Sequence, residues 1–467
     1  DAARLKNEGN ELFRADKFAE AAEVYSKAIE ADPTEAALYS NRAACYANLE
    51  KWPESLQDAT TCVRLRPDWP KGYFRRALAV ARDWRSTEAR SMCIRGLQLD
   101  KESKELKDLR VQVQATVSRF FSNACEVDFR MDTPPNEDFK VVFKGKPPPK
   151  SADVNGACFP QSLRTMLHVA VMMQHVKVVK ELVDRGASVT AEDRMGLTPL
   201  HMAYILQHEP LLAAFGEAVK LSPMSTTHNA TPQDLADGLS FAIQAPPVHI
   251  KFLGKEGGAR LLDGDDFLRT LGVRYTRTSL FTDEYLQTLY ASILDEEGQA
   301  MLADPRKREL NEQYRASEEE KHLGLAFISD EVGYGVFALK AFKENDYVCC
   351  YAGLLQDLQR IKDQAKNPYV MTVMPLDKFP FKTDATHYRS FGAYINHSDE
   401  PNLKCENIVG KGAPMQVFAA ARNIAAGEQL FFDYRGRLHT TFVEKSLPAF
   451  APLAPLPAPS LAALAAL

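Results

Sequence analysis

The chain has 467 residues, of which 45% are hydrophobic, 25% charged and 9% aromatic; that exceeds what one hydrophobic core organises and predicts about three domains of ordinary globular composition. Its 57 Lys and Arg against 62 Asp and Glu leave a net charge of −5, which excludes the general basic excess of a non-specific nucleic-acid binder. The eight cysteines form no CxxC pair and several fall on apolar helical positions, so a zinc ribbon is excluded and reduced thiols in a cytoplasmic or nuclear protein are expected.

No signal peptide is visible at Asp1, and secretion is not expected. Two segments of 34 residues end at Pro33 and Pro67 and repeat their small and aromatic positions: Gly9, Ala21, Tyr25 and Ala28, then Ala43, Tyr46, Ser55 and Cys62. A third, from Pro70 to about Asp100, keeps Tyr73, Ala77, Ala89 and Gly96, and the charged helix after it is expected to cap the stack. Residues 1–120 thus read as three helical hairpins enclosing a concave groove. Lys6 and Asn10 are four apart on the first inner helix, Asn41 is on the second, and Lys71 and Arg75 are four apart on the third, which puts each pair on one helical face.

The stretches LKNEGN, LYSNRAACY and PDWPKGYFRRA resemble the dicarboxylate-clamp class of tetratricopeptide domain. That resemblance implies that Lys6, Asn10, Asn41, Lys71 and Arg75 bind a chain-terminal carboxylate and an adjacent Asp, as in the Glu-Glu-Val-Asp tails of cytosolic heat-shock chaperones. Solvated helix charges are the plainer alternative.

Residues 121–158 include MDTPPNEDFKVVFKGKPPPK and read as a linker. In residues 159–246 the tetrapeptides ending at His168 and His201 recur 33 residues apart, and Thr231-Pro232 follows at the same interval; this is the ankyrin period, with two good repeats and a degenerate third. Both histidines are expected to hold turns, not metals, and the partner of this second array is unknown. Residues 247–321 read as a connecting helical region without a catalytic constellation.

From residue 322 to 437 short apolar runs of period two alternate with Gly, Asn and Pro, the pattern of β structure. Four motifs follow in order: Gly333-Tyr334-Gly335, Tyr351-Ala-Gly353, Asn396-His397-Ser398 with Pro401-Asn402, and Gly427-Glu428 ahead of Phe432-Asp433-Tyr434. This ordered set resembles the SET-domain protein lysine methyltransferases. The resemblance implies S-adenosyl-L-methionine as cofactor, held by Gly333, Tyr334, Gly335, Asn396 and His397. It also implies Tyr434 as the catalytic tyrosine and Tyr351 as the second tyrosine of the lysine channel. Phe432 stands where a tyrosine holds a water beside the amine in similar enzymes, so products beyond monomethyllysine are expected.

Two departures are visible. Asp399 follows Asn-His-Ser where many members have Cys, and no Cys-x-Cys pattern follows Arg437, so no metal site is expected. RSFGAY, residues 389–394, differs from the usual Arg-Phe before Ile-Asn-His and leaves the substrate-side wall open. The remaining 438–467 read as a Pro/Ala/Leu-rich tail whose prolines preclude a membrane span. The expected fold class is multidomain α+β: an α-helical tetratricopeptide array, an ankyrin array and a mostly β SET domain. The expected function is protein-lysine methylation of a histone or other protein, with repeat arrays for partners; the alternative is a non-catalytic, chaperone-binding adaptor.

Overall fold

The computed structural model describes residues 1–82, 85–131, 137–157, 159, 162–193, 196–221, 223–225, 229–239, 249–283, 296–357, 369–372, 381–434 and 458–467. Helices α1 (Ala2–Arg14) and α2 (Phe18–Ala31), α3 (Ala36–Asn48) and α4 (Trp52–Leu65), and α5 (Pro70–Arg82) and α6 (Ser86–Leu99) form three hairpins. Small residues set their spacing. Ala21, Ala28, Ala43, Ala77 and Ala89 are fully buried, and a Cβ on Gly9 would lie 2.7 Å from the Tyr25 ring. The sequence period reappears in the backbone: Asp16 and Glu50, at equivalent turns, both have φ of 56°, a left-handed conformation that few non-glycine residues adopt.

Helix α7 (Lys104–Met131) corrects the expected boundary at residue 120. Its Leu106, Leu109 and Val113 close the hairpin array, whereas Phe121 and Cys125 are buried in the ankyrin core with Phe139 and Val142 of α8 (Glu137–Phe143). The stretch read as a linker therefore begins inside α7 and contains α8. Its prolines dominate the composition, but the apolar residues between them decide burial.

The ankyrin elements are α9 (Met166–Met172), α10 (Val176–Asp184), α11 (Pro199–Leu206), α12 (Glu209–Ala214) and α13 (Pro232–Leu239). The Thr165 N–H donates to His168 Nδ1 at 3.0 Å, and His168 Nε2 donates to the Leu197 carbonyl at 3.0 Å. His201 repeats this with Thr198 at 3.3 Å and the Ala230 carbonyl at 2.9 Å. Burial pushes the His168 imidazole down to about 3 and lowers His201 as well, so both act as neutral turn staples. In the degenerate third repeat Asp234 takes the histidine's place: it accepts the Thr231 N–H at 2.8 Å and donates its own N–H to the Thr231 hydroxyl at 3.2 Å.

Residues 247–321 are not simply helical. They supply strands β1 (Ile250–Leu253), β2 (Ala259–Leu262), β3 (Arg274–Tyr275) and β4 (Leu280–Phe281), with α14 (Gly264–Leu271) between the second and third. After them come β5 (Leu323–Ser329), β6 (Gly333–Ala338), β7 (Tyr347–Tyr351), β8 (Leu354–Asp357), β9 (Val370–Thr372), β10 (Phe381–Asp384) and β11 (Tyr388–Arg389). The last four are β12 (Asn396–His397), β13 (Leu403–Gly410), β14 (Ala413–Ala420) and β15 (Phe431–Phe432). The sheets run β2-β1-β5-β6, β4-β8-β10-β9 and β13-β14-β7, with short parallel pairs β3-β11 and β12-β15. The strands before residue 322 thus complete sheets of the β domain, and β1 pairs with β5 in parallel.

The tail also differs from its expected character. Residues 438–457 lie outside the described residues, but Ala458–Ala466 form a helix whose Leu464 is fully buried beside Leu253, Ala326 and Phe337. Among the described residues no helix is long and apolar enough to cross a membrane.

The third hairpin is built into the β domain. On α14, Phe267 is buried in the β-domain core while its neighbour Leu268 is buried among Val63, Tyr73 and Ala77 of the hairpins. Glu88, with no exposed surface, accepts from Arg76 Nη2 at 3.0 Å and pairs with Arg85 and the Tyr388 hydroxyl. Burial pushes its carboxyl up, but Arg85 and Arg76 outweigh that and hold it below the usual range. Glu88→Gln would leave two buried guanidinium groups uncompensated, so it should cost roughly 3–5 kcal/mol. Thermal and urea unfolding of the full chain check this; an unchanged midpoint contradicts a junction held by charge.

Candidate functional site

The parallel pairing of β12 with β15 sets Asn396 opposite Phe431 and His397 opposite Phe432, joining two motifs that are distant in sequence. Asn402 fixes the arrangement: its Nδ2 donates to the Gln429 carbonyl at 2.8 Å and its Oδ1 accepts the Phe431 N–H at 2.8 Å. The β5–β6 hairpin approaches from the side. Gly333 has φ of 79°, which favours glycine, and a Cβ on Gly335 would fall 2.7 Å from Gln429 Nε2 and 2.8 Å from Asn396 Oδ1. Gln429 Nε2 in turn donates to Asn396 Oδ1 at 3.0 Å. Gly335, Asn396 and Gln429 therefore form a close-packed polar cradle in which a side chain at 335 would collide with both amides. The Tyr334 ring packs against Phe252 and Phe327, at centroid distances of 5.4 and 5.5 Å.

His397 is half-buried and orients the next element. Its Nδ1 accepts the Tyr434 backbone N–H at 3.2 Å, which leaves the ring proton on Nε2, 3.7 Å from Asp399 Oδ1. The Tyr434 ring lies 4.6 Å from Phe432 and 5.3 Å from His397, and Phe432 lies 4.7 Å from Phe418. Tyr434 Oη donates to the Ile395 carbonyl at 2.6 Å. Tyr351, 3% exposed, donates its hydroxyl to the Tyr369 carbonyl at 2.9 Å. Burial, reinforced by Tyr369, pushes the Tyr434 phenol well above its ordinary range; burial and then Tyr434 do the same to Tyr351. Both hydroxyls stay protonated donors at neutral pH.

The structure thus brings Tyr351, Phe432 and Tyr434 into one aromatic group and Gly335, Asn396 and His397 beside it. Tyr369 and Gln429 were missed, and Arg389, which opens RSFGAY, was given no role of its own. The Arg389 guanidinium lies 3.5 Å from the Tyr369 ring centroid and donates to the Ala385 carbonyl at 2.9 Å. Neither Tyr369 nor Gln429 stands in a motif, so only contact reveals them. The departure at RSFGAY has a local reason: Ser390 Oγ donates to the Cys350 carbonyl at 2.7 Å and accepts the Ala352 N–H at 2.9 Å. A Cβ on Gly392 would collide with that same carbonyl. Among the described residues no cluster of three or more His, Cys, Asp or Glu could hold a metal ion.

The groove residues also converge. Asn10 Oδ1 accepts from Tyr25 Oη at 2.7 Å and from Asn41 Nδ2 at 3.1 Å, and Lys6 Nζ lies 3.9 Å from Glu35. Arg75 carries a buried Nε without a hydrogen-bond partner among the described residues. Burial lowers the Arg75 guanidinium, and burial followed by repulsion from Arg75 lowers the Lys71 ammonium. Lys71, exposed, lies over the Trp69 ring at 5.9 Å and Arg75 over the Phe74 ring at 5.5 Å, so two neighbouring cations stand on one face of α5.

The SET domain family model matches residues 333–435, and the Ankyrin repeat model matches residues 162–194. The N-terminal hairpins are similar to the Hsp70-Hsp90 organising protein of Plasmodium falciparum, 36% identical over 114 residues that cover 24% of this chain and 45% of that protein. They are also similar to heat shock protein STI1 of Saccharomyces cerevisiae, 40% identical over 116 residues, 25% of this chain and 20% of that protein. The chain spans less than half the length of these relatives. A solved structure, the first TPR of Spaghetti (RPAP3) bound to HSP90 peptide SRMEEVD, is 30% identical with a TM-score of 0.25, covering 25% of this chain and 93% of that one. The chain therefore combines a SET domain, an ankyrin repeat and tetratricopeptide hairpins in one α+β protein.

Proposed function

We propose that this protein methylates lysine side chains of proteins, using S-adenosyl-L-methionine, and that its N-terminal groove binds acidic, carboxylate-terminated tails such as those of Hsp70 and Hsp90 chaperones. The observation that carries the first part is the junction of a glycine-lined polar cradle with a buried group of tyrosines. The cradle of Gly335, Asn396 and Gln429, with Gly333 and His397 at its edges, suits a cofactor whose polar atoms need backbone and amide partners at close approach. When bound, that cofactor supplies an electrophilic methyl group. Tyr434, Tyr351 and Phe432 receive the lysine stem, exclude water and favour the neutral amine. The Tyr434 hydroxyl orients that amine, and His397 fixes the Tyr434 backbone. The second part is supported by the Lys71–Arg75 cation pair and by the Plasmodium falciparum relative, whose name ties it to Hsp70 and Hsp90.

Incubating the full chain with methyl-labelled cofactor, core histones and whole-cell extract tests the enzyme reading. Label on protein lysine supports it. Tight cofactor binding without label on any protein would favour an adaptor.

Phe432 bears on how many methyl groups are added. Its ring packs between Phe418 and Tyr434 and offers no hydroxyl to hold a water beside the amine. Di- or trimethyllysine is therefore the expected product, and Phe432→Tyr should shift products towards monomethyl while leaving the first transfer largely intact. Mass spectrometry of the product decides; a parent enzyme that stops at monomethyl would contradict it.

A further inference from the structure

A groove and a methylation site on one chain act on the same molecule at one set span only if the body between them holds them in a fixed relation. Here the helix that carries Lys71 and Arg75 also carries Arg76, 2% exposed, whose Nη2 donates to Tyr388 Oη at 2.8 Å as well as to Glu88. Tyr388 opens β11, and the next residue, Arg389, stacks on Tyr369, whose carbonyl receives the Tyr351 hydroxyl. Groove and tyrosine pocket are thus joined by direct contacts without an intervening linker. A second tie runs beside the first: the Asp283 carboxylate, fully buried, accepts the Ser86 N–H at 3.1 and 2.9 Å. A third is apolar, through Phe267 and Leu268 of α14 in the two cores. A fourth reaches the ankyrin body, where buried Arg90 donates to the Leu206 carbonyl at 3.2 Å. Polar inter-domain faces normally permit relative motion. This one combines shared apolar packing with buried charges that separation would leave uncompensated, so it is stiff.

We infer that the groove is a substrate anchor: the protein methylated by the SET domain is one whose acidic C-terminal tail is held in the groove of the same molecule, with the target lysine a set number of residues before that tail. The inference rests on the function proposed above and adds the substrate class to it. Holding the tail makes presentation of the lysine intramolecular, with an effective concentration set by the intervening segment. With both sites on one stiff body the span is constant, so one segment length fits best; a hinge would blur that optimum. Lys71 and Arg75, neighbouring cations on one helix face, suit a pair of carboxylates, which favours tails ending in Asp next to a free terminus.

The test uses the full chain and peptides that carry one lysine, a Gly/Ser spacer of varied length and a Glu-Glu-Val-Asp end, each as free acid and as amide. The free acid should lower KM tenfold or more with kcat little changed. Rates below saturation should pass through a maximum at one spacer length, and a lysine-free tail peptide added separately should remove the advantage. Equal methylation of acid and amide at every length, in a chain that binds labelled tail peptide and methylates core histones, overturns the anchor while leaving both parts of the proposed function standing. A steady decline with spacer length overturns the fixed span. A chain that binds no tail, or methylates no lysine, overturns the function beneath the inference and the inference with it, and the binding and histone measurements tell which part failed.

Discussion

Tyr434→Phe is expected to reduce methyl transfer on the order of 100-fold or more while the protein stays folded and still binds its cofactor. The ring is held by Phe432 at 4.6 Å and His397 at 5.3 Å, and phenylalanine preserves both contacts. What disappears is the hydroxyl, which donates to the Ile395 carbonyl at 2.6 Å and, in the proposed reaction, orients the lysine amine. Losing one buried hydrogen bond costs only about 1 kcal/mol of stability, so a melting curve separates the chemical effect from unfolding. A fall in kcat with cofactor affinity unchanged is the expected pattern. Unchanged kcat would remove Tyr434 from the mechanism.

Replacing Lys71 and Arg75 together by Ala should abolish most binding of a free Glu-Glu-Val-Asp peptide. Each charge-assisted contact contributes about 1.5–3 kcal/mol, so the pair should account for a loss on the order of a hundredfold or more. Lys71 is exposed with its ammonium 5.9 Å from the Trp69 ring, and the Arg75 guanidinium lies 5.5 Å from the Phe74 ring; the variant should stay folded, which a melting curve checks. Amidating the peptide terminus should be nearly as damaging as removing the cations. Calorimetric titration with acid and amide peptides decides, and equal affinity for the two would show that the groove does not read a terminal carboxylate.

Both repeat arrays were legible because their rules are local. A hairpin needs small residues where helices touch and a fixed turn, so the period appears in Ala21 and Ala28 and again in the φ of Asp16 and Glu50. The ankyrin period survives even where Asp234 replaces histidine, because the turn needs only a side chain that can accept the Thr231 N–H. The four SET motifs were legible for the same reason, each being short and dense in Gly, Asn or Tyr. Strands β1 to β4 were not. They are two to four residues long, too short to display alternation, and three of them pair with strands beyond residue 322.

Tyr369 and Gln429 were hidden by the same cause, since the fold brings them to the motif residues and no spacing announces it. The junction was hidden differently. Nothing in the helical pattern singles out Arg76, Glu88 or Arg90, yet each is buried, with partners in another domain at Tyr388 and the Leu206 carbonyl.

The most direct measurement is the mass of individual lysines in a protein substrate after incubation with the full chain and methyl-labelled S-adenosyl-L-methionine. The expected result is labelled methyl groups on lysine Nζ, absent with the Tyr434→Phe chain. Cofactor bound to the full chain with no labelled lysine, across histones, cell extract and Glu-Glu-Val-Asp-tailed peptides alike, would contradict it.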